Sequence, residues 1–248
     1  QAELAATRVH KALNGLMARI EVLLHNERRF TADAAHELRT PIAAIRMQAQ
    51  VAMGADAQSP DRMQALSQVL AGCDRATHLV EQLLTLARLE QASASAGHAP
   101  VDAVAHTRSV LAALAPAALA RGQTLTLDGA DTVALAVAPT LLEVLVRNLV
   151  DNALRYSPAG AQIQVHWRQD GASSACLEVH DSGPGLNEAD SARLGERFFR
   201  VLGTGASGSG LGWSIVRRIA QVQGATVQAQ RSAALGGLQV SVCWPLAA

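Results

Sequence analysis

Phe30-Thr31-Ala32-Asp33-Ala34-Ala35-His36-Glu37-Leu38-Arg39-Thr40-Pro41 is a short polar island inside a long helical pattern. Apolar residues recur at Leu13, Leu16, Ile20, Leu23, Phe30, Ala34, Leu38, Ile42, Ile45 and Ala49, the three-and-four spacing of a helix that buries one stripe. His36 is two residues from both Ala34 and Leu38, which at 3.6 residues per turn is about 200° around the axis. Its imidazole is therefore expected to face solvent while its neighbours pack inward. Glu37 is adjacent, and Thr40 lies one turn on along the same face. Pro41 removes the hydrogen bond to the Glu37 carbonyl and crowds it, so the helix is expected to bend just after the histidine.

An exposed histidine on a helix is ordinarily a solvated residue. The string around this one, F-x-x-x-x-x-H-E-L-R-T-P, resembles the H-box of sensor histidine kinases. The resemblance implies that His36 receives a phosphoryl group from ATP, with Glu37 and Thr40 beside it in catalytic roles. It also requires a second, ATP-binding set of motifs downstream.

The 248 residues are enough for one large or two modest domains, and 49% hydrophobic content supports a real core. Aromatic residues make up only 3%, with Ala and Leu dominant, which suits helix pairs better than a β-sandwich. Lys and Arg are scattered and the formal net charge is zero, so nucleic acid is not an expected partner. Cys73, Cys176 and Cys243 lack zinc-ligand spacing and read as small buried residues in a reducing compartment. No run of eighteen apolar residues and no signal peptide is present. The helical pattern is under way near Ala2 without a convincing cap, so the chain reads as a soluble piece of a longer protein.

In order along the chain, residues 1–27 continue the helix upstream, and 12–20 resemble the end of a HAMP linker. The first helix is expected to run to about Met53 and stop in the turn-rich stretch 54–58. Ser59 can cap a second helix with Pro60 at its first position. Leu66, Val69, Leu70, Cys73, Thr77, Val80, Leu83, Leu84 and Ala87 then give that helix a heptad-like stripe. A lone hairpin cannot bury two such stripes, so pairing with a second copy into a four-helix bundle is the expected solution. Residues 91–100 are small and aperiodic, a linker. Beyond it the pattern is mixed: helix 104–121 despite Pro116, strands at 123–127 and 132–137, and an amphipathic helix over 138–156. Strands at 163–168 and 176–180 turn near Asp170-Gly171, a helix covers 211–223, and a strand pair at 226–230 and 238–244 closes the domain.

Asn148 and Asn152 are one helical turn apart, so their amide oxygens project from one face, the donor type Mg²⁺ favours. Taken alone such a pair is an ordinary solvated feature. Asn-Leu-Val-Asp-Asn-Ala-Leu-Arg-Tyr-Ser-Pro, however, resembles the N-box of the same family almost residue for residue. By that resemblance Asn152 is the principal Mg²⁺ ligand, Asn148 supports it, and Arg155 and Tyr156 contact the nucleotide. Asp181-Ser182-Gly183-Pro184-Gly185 follows a strand, where a carboxylate can accept from an adenine amino group and glycines let a ring approach the backbone. D-x-G-x-G is also the pattern of a plain tight turn. One hairpin after the N-box it resembles the G1 box, making Asp181 the adenine reader with Gly183 and Gly185 beside it.

The glycine-rich run 203–212 enters a helix, where exposed N–H groups and the positive helix end favour phosphate. A Rossmann reading fails because no strand directly precedes it and no acidic residue follows at the expected distance. It resembles the G2 box, which assigns Gly208, Gly210, Leu211 and Gly212 to the nucleotide; 196–200 resemble the F-box, and 186–209 would be a mobile lid. Trp213 stands where a Leu is usual.

Together the boxes identify the chain as resembling a sensor histidine kinase of a two-component system. The implied fold is α+β in two domains: an antiparallel helical hairpin forming a dimeric four-helix bundle, then an α/β two-layer sandwich of the GHKL (Bergerat) ATPase type. The segments are 1–27, the end of a HAMP linker or signalling helix; 28–92, the dimerisation and phosphotransfer hairpin; 93–100, a linker; and 101–248, the catalytic domain. The implied cofactors are ATP and Mg²⁺. The implied partners are a second copy and a response regulator receiver domain, with the membrane reached only through segments absent from this chain. The expected place is the cytoplasmic portion of a bacterial inner-membrane protein. A GHKL-type ATPase or a non-catalytic signalling scaffold is the alternative, though each leaves one set of boxes unexplained.

Overall fold

The computed structural model describes residues 2–56, 58–91, 99–171, 173–186 and 211–246. They fall into two units, residues 1–81 and 82–248. In the first unit, helix α1 (Ala2–Gly54) runs through Pro41 without interruption. The expected bend therefore does not break the helix, and the Thr40 hydroxyl donates to the His36 carbonyl at 3.4 Å, one turn back. Helix α2 (Pro60–Gln91) starts as its sequence predicts, with Ser59 Oγ accepting from the Asp61 N–H at 3.2 Å. The two helices meet at Gly72, where a Cβ would lie 2.5 Å from Ile45 Cγ1.

Among the described residues, this stem covers some of its apolar side chains and leaves others exposed. Ala52 and Ala65 are covered, whereas Ile42, Val51, Met63, Leu66 and Leu70 are exposed, Leu70 by 67%. Ile42 belongs to the stripe expected to pack inward but is exposed here.

The second unit is a five-stranded sheet with helices on one face. Strands β2 (Thr124–Gly129), β4 (Gln162–Asp170), β5 (Ser174–Asp181), β6 (Thr226–Arg231) and β7 (Leu238–Pro245) are ordered β2-β4-β5-β7-β6. Only β2 and β4 are parallel, joined through helix α4 (Pro139–Tyr156) as a crossover. Strands β1 (Val101–Asp102) and β3 (Ala134–Leu135) pair separately. The strand expected over 132–137 is thus two residues long and outside the main sheet. Helix α3 (Ala103–Ala120) is capped by Asp102, whose carboxylate accepts from the Val104 N–H at 3.1 Å; helix α5 (Gly212–Val222) completes the helical layer.

The core lies between these layers. Ile163, Val165 and Trp167 of β4, Leu177 and Val179 of β5, and Val240, Val242 and Trp244 of β7 face Leu142, Leu145, Val146 and Leu149 of α4 and Ile215 and Ile219 of α5. The alternation along each strand sets which side is buried. Trp167 and Trp244 stack with ring centroids 5.8 Å apart. The Trp167 indole N–H donates to Thr107 Oγ1 at 3.0 Å, and that hydroxyl donates to the Ala103 carbonyl. Both ring nitrogens thus find partners in an otherwise apolar layer, since Trp244 donates to Gln223 Oε1.

The opposite face of the sheet holds a correction to the sequence reading. Cys176 and Cys243, expected to be separate buried thiols, stand directly opposite on β5 and β7 and are joined by a disulfide, with Cα atoms 4.1 Å apart. Cys73 is exposed. The 67-residue separation concealed a pairing that only strand register creates.

Replacing Thr107, which is fully buried, by Val keeps the volume but leaves the Trp167 N–H without its acceptor. We expect a loss of about 1–3 kcal/mol in urea unfolding; an unchanged midpoint would show that the bond carries no weight.

Candidate active site

Helix α4 organises the site. It buries Leu142, Leu145, Leu149 and Ala153 on one side, and this places Asn148 and Asn152 together at its middle. Asn148 is 7% exposed and Asn152 half-buried. The first residue of α5 sits against them. A Cβ on Gly212 would lie 3.1 Å from Asn148 Oδ1 and 3.3 Å from both amide atoms of Asn152. Glycine is therefore what allows the start of α5 to reach these amides. Leu211 precedes α5 and makes no side-chain cap hydrogen bond to its first turn. Leu211 itself is fully buried and anchors that end.

At the far end of α4, Arg121 and Gln123 hold the chain. The Arg121 guanidinium donates to the Leu154 carbonyl and, at 3.0 Å, to that of Ser157. Gln123 Nε2 donates to the carbonyls of Leu154, Ser157 and Pro158 at 3.0–3.1 Å. A cation and an amide thus satisfy the negative end of the helix, fixing the turn that carries Arg155 and Tyr156, both half-buried. Sequence reasoning did not single out Arg121 or Gln123. A basic residue before a strand carries no local signal of which carbonyls it will meet.

Asp181 ends β5 on the same sheet face as α4. One carboxylate oxygen, Oδ1, accepts from the Gly183 N–H at 2.9 Å and the Leu238 N–H at 3.1 Å. The Gly237 N–H donates to the Asp181 carbonyl at 3.1 Å. A Cβ on Gly237 would stand 2.3 Å from Oδ1, and one on Gly183 would stand 2.9 Å from it and 3.1 Å from Ser157 Oγ. Gly185 has φ 72°, the left-handed backbone glycine tolerates, and lies against Gly237. Gly237 and Leu238 were missed in the sequence; the Gly236-Gly237 pair ahead of the last strand was the available sign. Burial pushes the Asp181 carboxyl above its ordinary value, against the pull of the Leu238 and Gly183 N–H groups and of nearby His180.

The structure therefore brings together Asn148, Asn152 and Gly212 near the middle of α4, and Asp181 and Gly183 beside Ser157 just past its C-terminal end. Gly208 and Gly210, the 196–200 segment and residues 187–209 of the expected lid lie outside the described residues, as do residues 93–98 of the linker expected over 93–100. His36, Glu37 and Thr40 are in the first unit: His36 and Thr40 are exposed and Glu37 half-buried. Among the described residues, no group of three or more His, Cys, Asp or Glu could hold a metal. The donors the described residues offer a Mg²⁺ ion near α4 are the amide oxygens of Asn148 and Asn152, a donor type compatible with an ion that keeps much of its shell as water and phosphate. The glycine-lined approaches to the asparagines and the aspartate leave backbone, not side chains, facing that space, so the residues present fit a nucleotide with its metal.

Comparison with known proteins decides the family. Residues 26–92 match the His Kinase A (phospho-acceptor) domain, and residues 137–248 match the histidine kinase-, DNA gyrase B- and HSP90-like ATPase domain. The chain belongs to the sensor histidine kinases. It is 41% identical over 236 residues to the sensor protein QseC of Escherichia coli (strain K12), covering 94% of this chain and 51% of that protein. It is 39% identical over 216 residues to the swarming motility regulation sensor protein RssA of Serratia marcescens, covering 87% of this chain and 46% of that protein. The chain thus spans about half the length of the curated relatives it matches. Among solved structures, the Acinetobacter baumannii histidine kinase AdeS shares the fold, with a TM-score of 0.68 at 24% identity over 86% of this chain and 98% of that one. The helical region followed by an α/β ATPase domain agrees with the fold expected from sequence.

Asp181 gives the site a pH signature. Because its folded pKa lies above the unfolded value of 3.8, stability falls as pH rises through the interval between the two. Asp181→Asn should therefore melt at a higher temperature than the parent at pH 7, with the advantage vanishing as pH approaches 4. A variant less stable at pH 7 would contradict this.

Proposed function

We propose that the chain is the kinase portion of a two-component sensor, which moves the γ-phosphoryl group of ATP to His36 and then to an aspartate of a response regulator receiver domain. What carries this reading is that Gly212 lies against both Asn148 and Asn152, while Asp181 has one oxygen held by two backbone N–H groups and the other left for a base.

In this reading a ring nitrogen of His36 attacks the γ-phosphorus, the bond to the bridging oxygen breaks, and ADP leaves. Glu37 accepts the other ring N–H and holds the imidazole in the tautomer that presents a free lone pair. Thr40, whose hydroxyl rests on the His36 carbonyl, is placed to help orient a water for the reverse, phosphatase reaction. Asp181 reads the adenine amino group, with Gly183 and Gly185 admitting the ring. Arg155 and Tyr156 contact the nucleotide from the last turn of α4, and the backbone of Gly208, Gly210, Leu211 and Gly212 receives the phosphates. Mg²⁺, when bound, supplies neutralisation of the phosphate charge. Asn152, supported by Asn148, holds it through the amide oxygens.

We assign segment 1–27 to the end of a HAMP linker, 28–92 to the phosphotransfer hairpin, 93–100 to a linker and 101–248 to the ATP-binding domain. The hairpin pairs with a second copy, and the exposed Ile42, Val51, Leu66 and Leu70 support that pairing. The chain is the cytoplasmic part of a bacterial inner-membrane sensor, as its similarity to QseC suggests.

His36→Gln should acquire no acid-labile label from γ-labelled ATP while still binding nucleotide, and labelling at the parent rate would remove the acceptor assignment. Asn152→Ala should lose Mg²⁺-dependent nucleotide binding and autophosphorylation together, at least 100-fold by order of magnitude. The parent should sediment at about twice its 25.9 kDa chain mass, with Leu70→Lys shifted toward monomer as a charge enters an apolar contact; a monomeric parent refutes the pairing.

A further inference from the structure

The buried stripe of α2 contains one polar residue. Leu79, Leu86 and Leu89 recur at helical spacing and are 5%, 1% and 2% exposed; between them stands Gln82, at 9%. An amide placed among leucines is costly unless bonded. Residues 82–91 of α2 belong to the second unit, and there Gln82 Nε2 donates to Asn148 Oδ1 at 3.2 Å.

Asn148 has its own second anchor. Its Nδ2 donates to the Val144 carbonyl one turn back on α4, at 2.8 Å. These two bonds decide which way round the amide sits. The NH₂ group is turned to its own helix, and the oxygen is turned toward Gln82 and toward the start of α5, 3.1 Å from the Cβ position of Gly212. Without Gln82, the two orientations differ by one intrahelical bond, and the flipped form would present N–H donors to the side where Asn152 and Gly212 meet. A cation is repelled by that arrangement and attracted by the other. The end of α2 is itself pinned: Arg218 of α5 donates from Nε and Nη2 to the Leu89 carbonyl at 3.2 and 3.1 Å. Gln82 is thus held at fixed reach from α4 by two leucines and a guanidinium.

We propose that Gln82 is a positioning residue for the metal–nucleotide site: it keeps the Asn148 amide oxygen directed at the cation and couples that orientation to the placement of the last turns of α2. This rests on the reading of Asn148 and Asn152 as the residues that hold Mg²⁺. Gln82 does not touch nucleotide or metal; it acts through Asn148, as an outer partner orients a ligand.

The test uses the full 248-residue chain and a non-hydrolysable β,γ-imido analogue of ATP, with binding followed by calorimetry across a Mg²⁺ titration and again in EDTA. Gln82→Met keeps the length and apolar fit and removes the donor. The Mg²⁺ concentration for half-maximal binding should rise about tenfold, while metal-free binding and the melting temperature of the unliganded protein stay at the parent values. In an Asn148→Ala background the same substitution should leave the Mg²⁺ dependence unchanged. An unaltered Mg²⁺ dependence in Gln82→Met overturns the inference, and so does a parallel fall of metal-free binding and melting temperature, which would mark a packing role alone. Failure of the underlying reading looks different: the parent itself would bind the analogue equally with and without Mg²⁺.

Discussion

The ATP-binding unit depends on one helix being approached at two points by backbone that carries no side chain. Gly212 reaches the amides of Asn148 and Asn152 near the middle of α4, and Gly183 reaches Ser157 and Asp181 just past its end. A Cβ at either place would meet a polar atom within about van der Waals contact or closer, and the segments that close over α4 would have to stand off. The rest of the unit keeps α4 where this can happen. Its apolar side is sunk in the sheet, and Arg121 and Gln123 hold its final carbonyls.

Asp181 shows how a site group is kept ready at the expense of stability. Its carboxylate is buried enough to raise its pKa, yet two N–H groups on one oxygen favour the charged form. The balance leaves a desolvated carboxylate with one oxygen held by backbone N–H groups. Gly237 makes this possible, because any side chain there would strike the carboxylate. The β6–β7 hairpin thus shapes the surroundings of Asp181 as much as the D-x-G-x-G turn does.

The stem is built on the opposite principle. Among the described residues its large apolar side chains Ile42, Val51, Met63, Leu66 and Leu70 stay exposed in a single chain.

Much of this was legible in the residues. The three-and-four spacing around His36, Ser59-Pro60, the amphipathic run carrying Asn148 and Asn152, and the order of the boxes pointed to the two long helices, the α/β unit after them and the family, because helical periodicity, capping and local motifs are short-range properties. What tertiary structure alone decided are the long-range meetings: Gly237 against Asp181, Gln123 at the end of α4, Gln82 on Asn148, and Cys176 opposite Cys243. Each joins residues 30 or more positions apart, and strand register or helix packing chooses the partner from many chemically equivalent candidates. A sequence states which groups a residue offers; only the folded chain states which of them it meets.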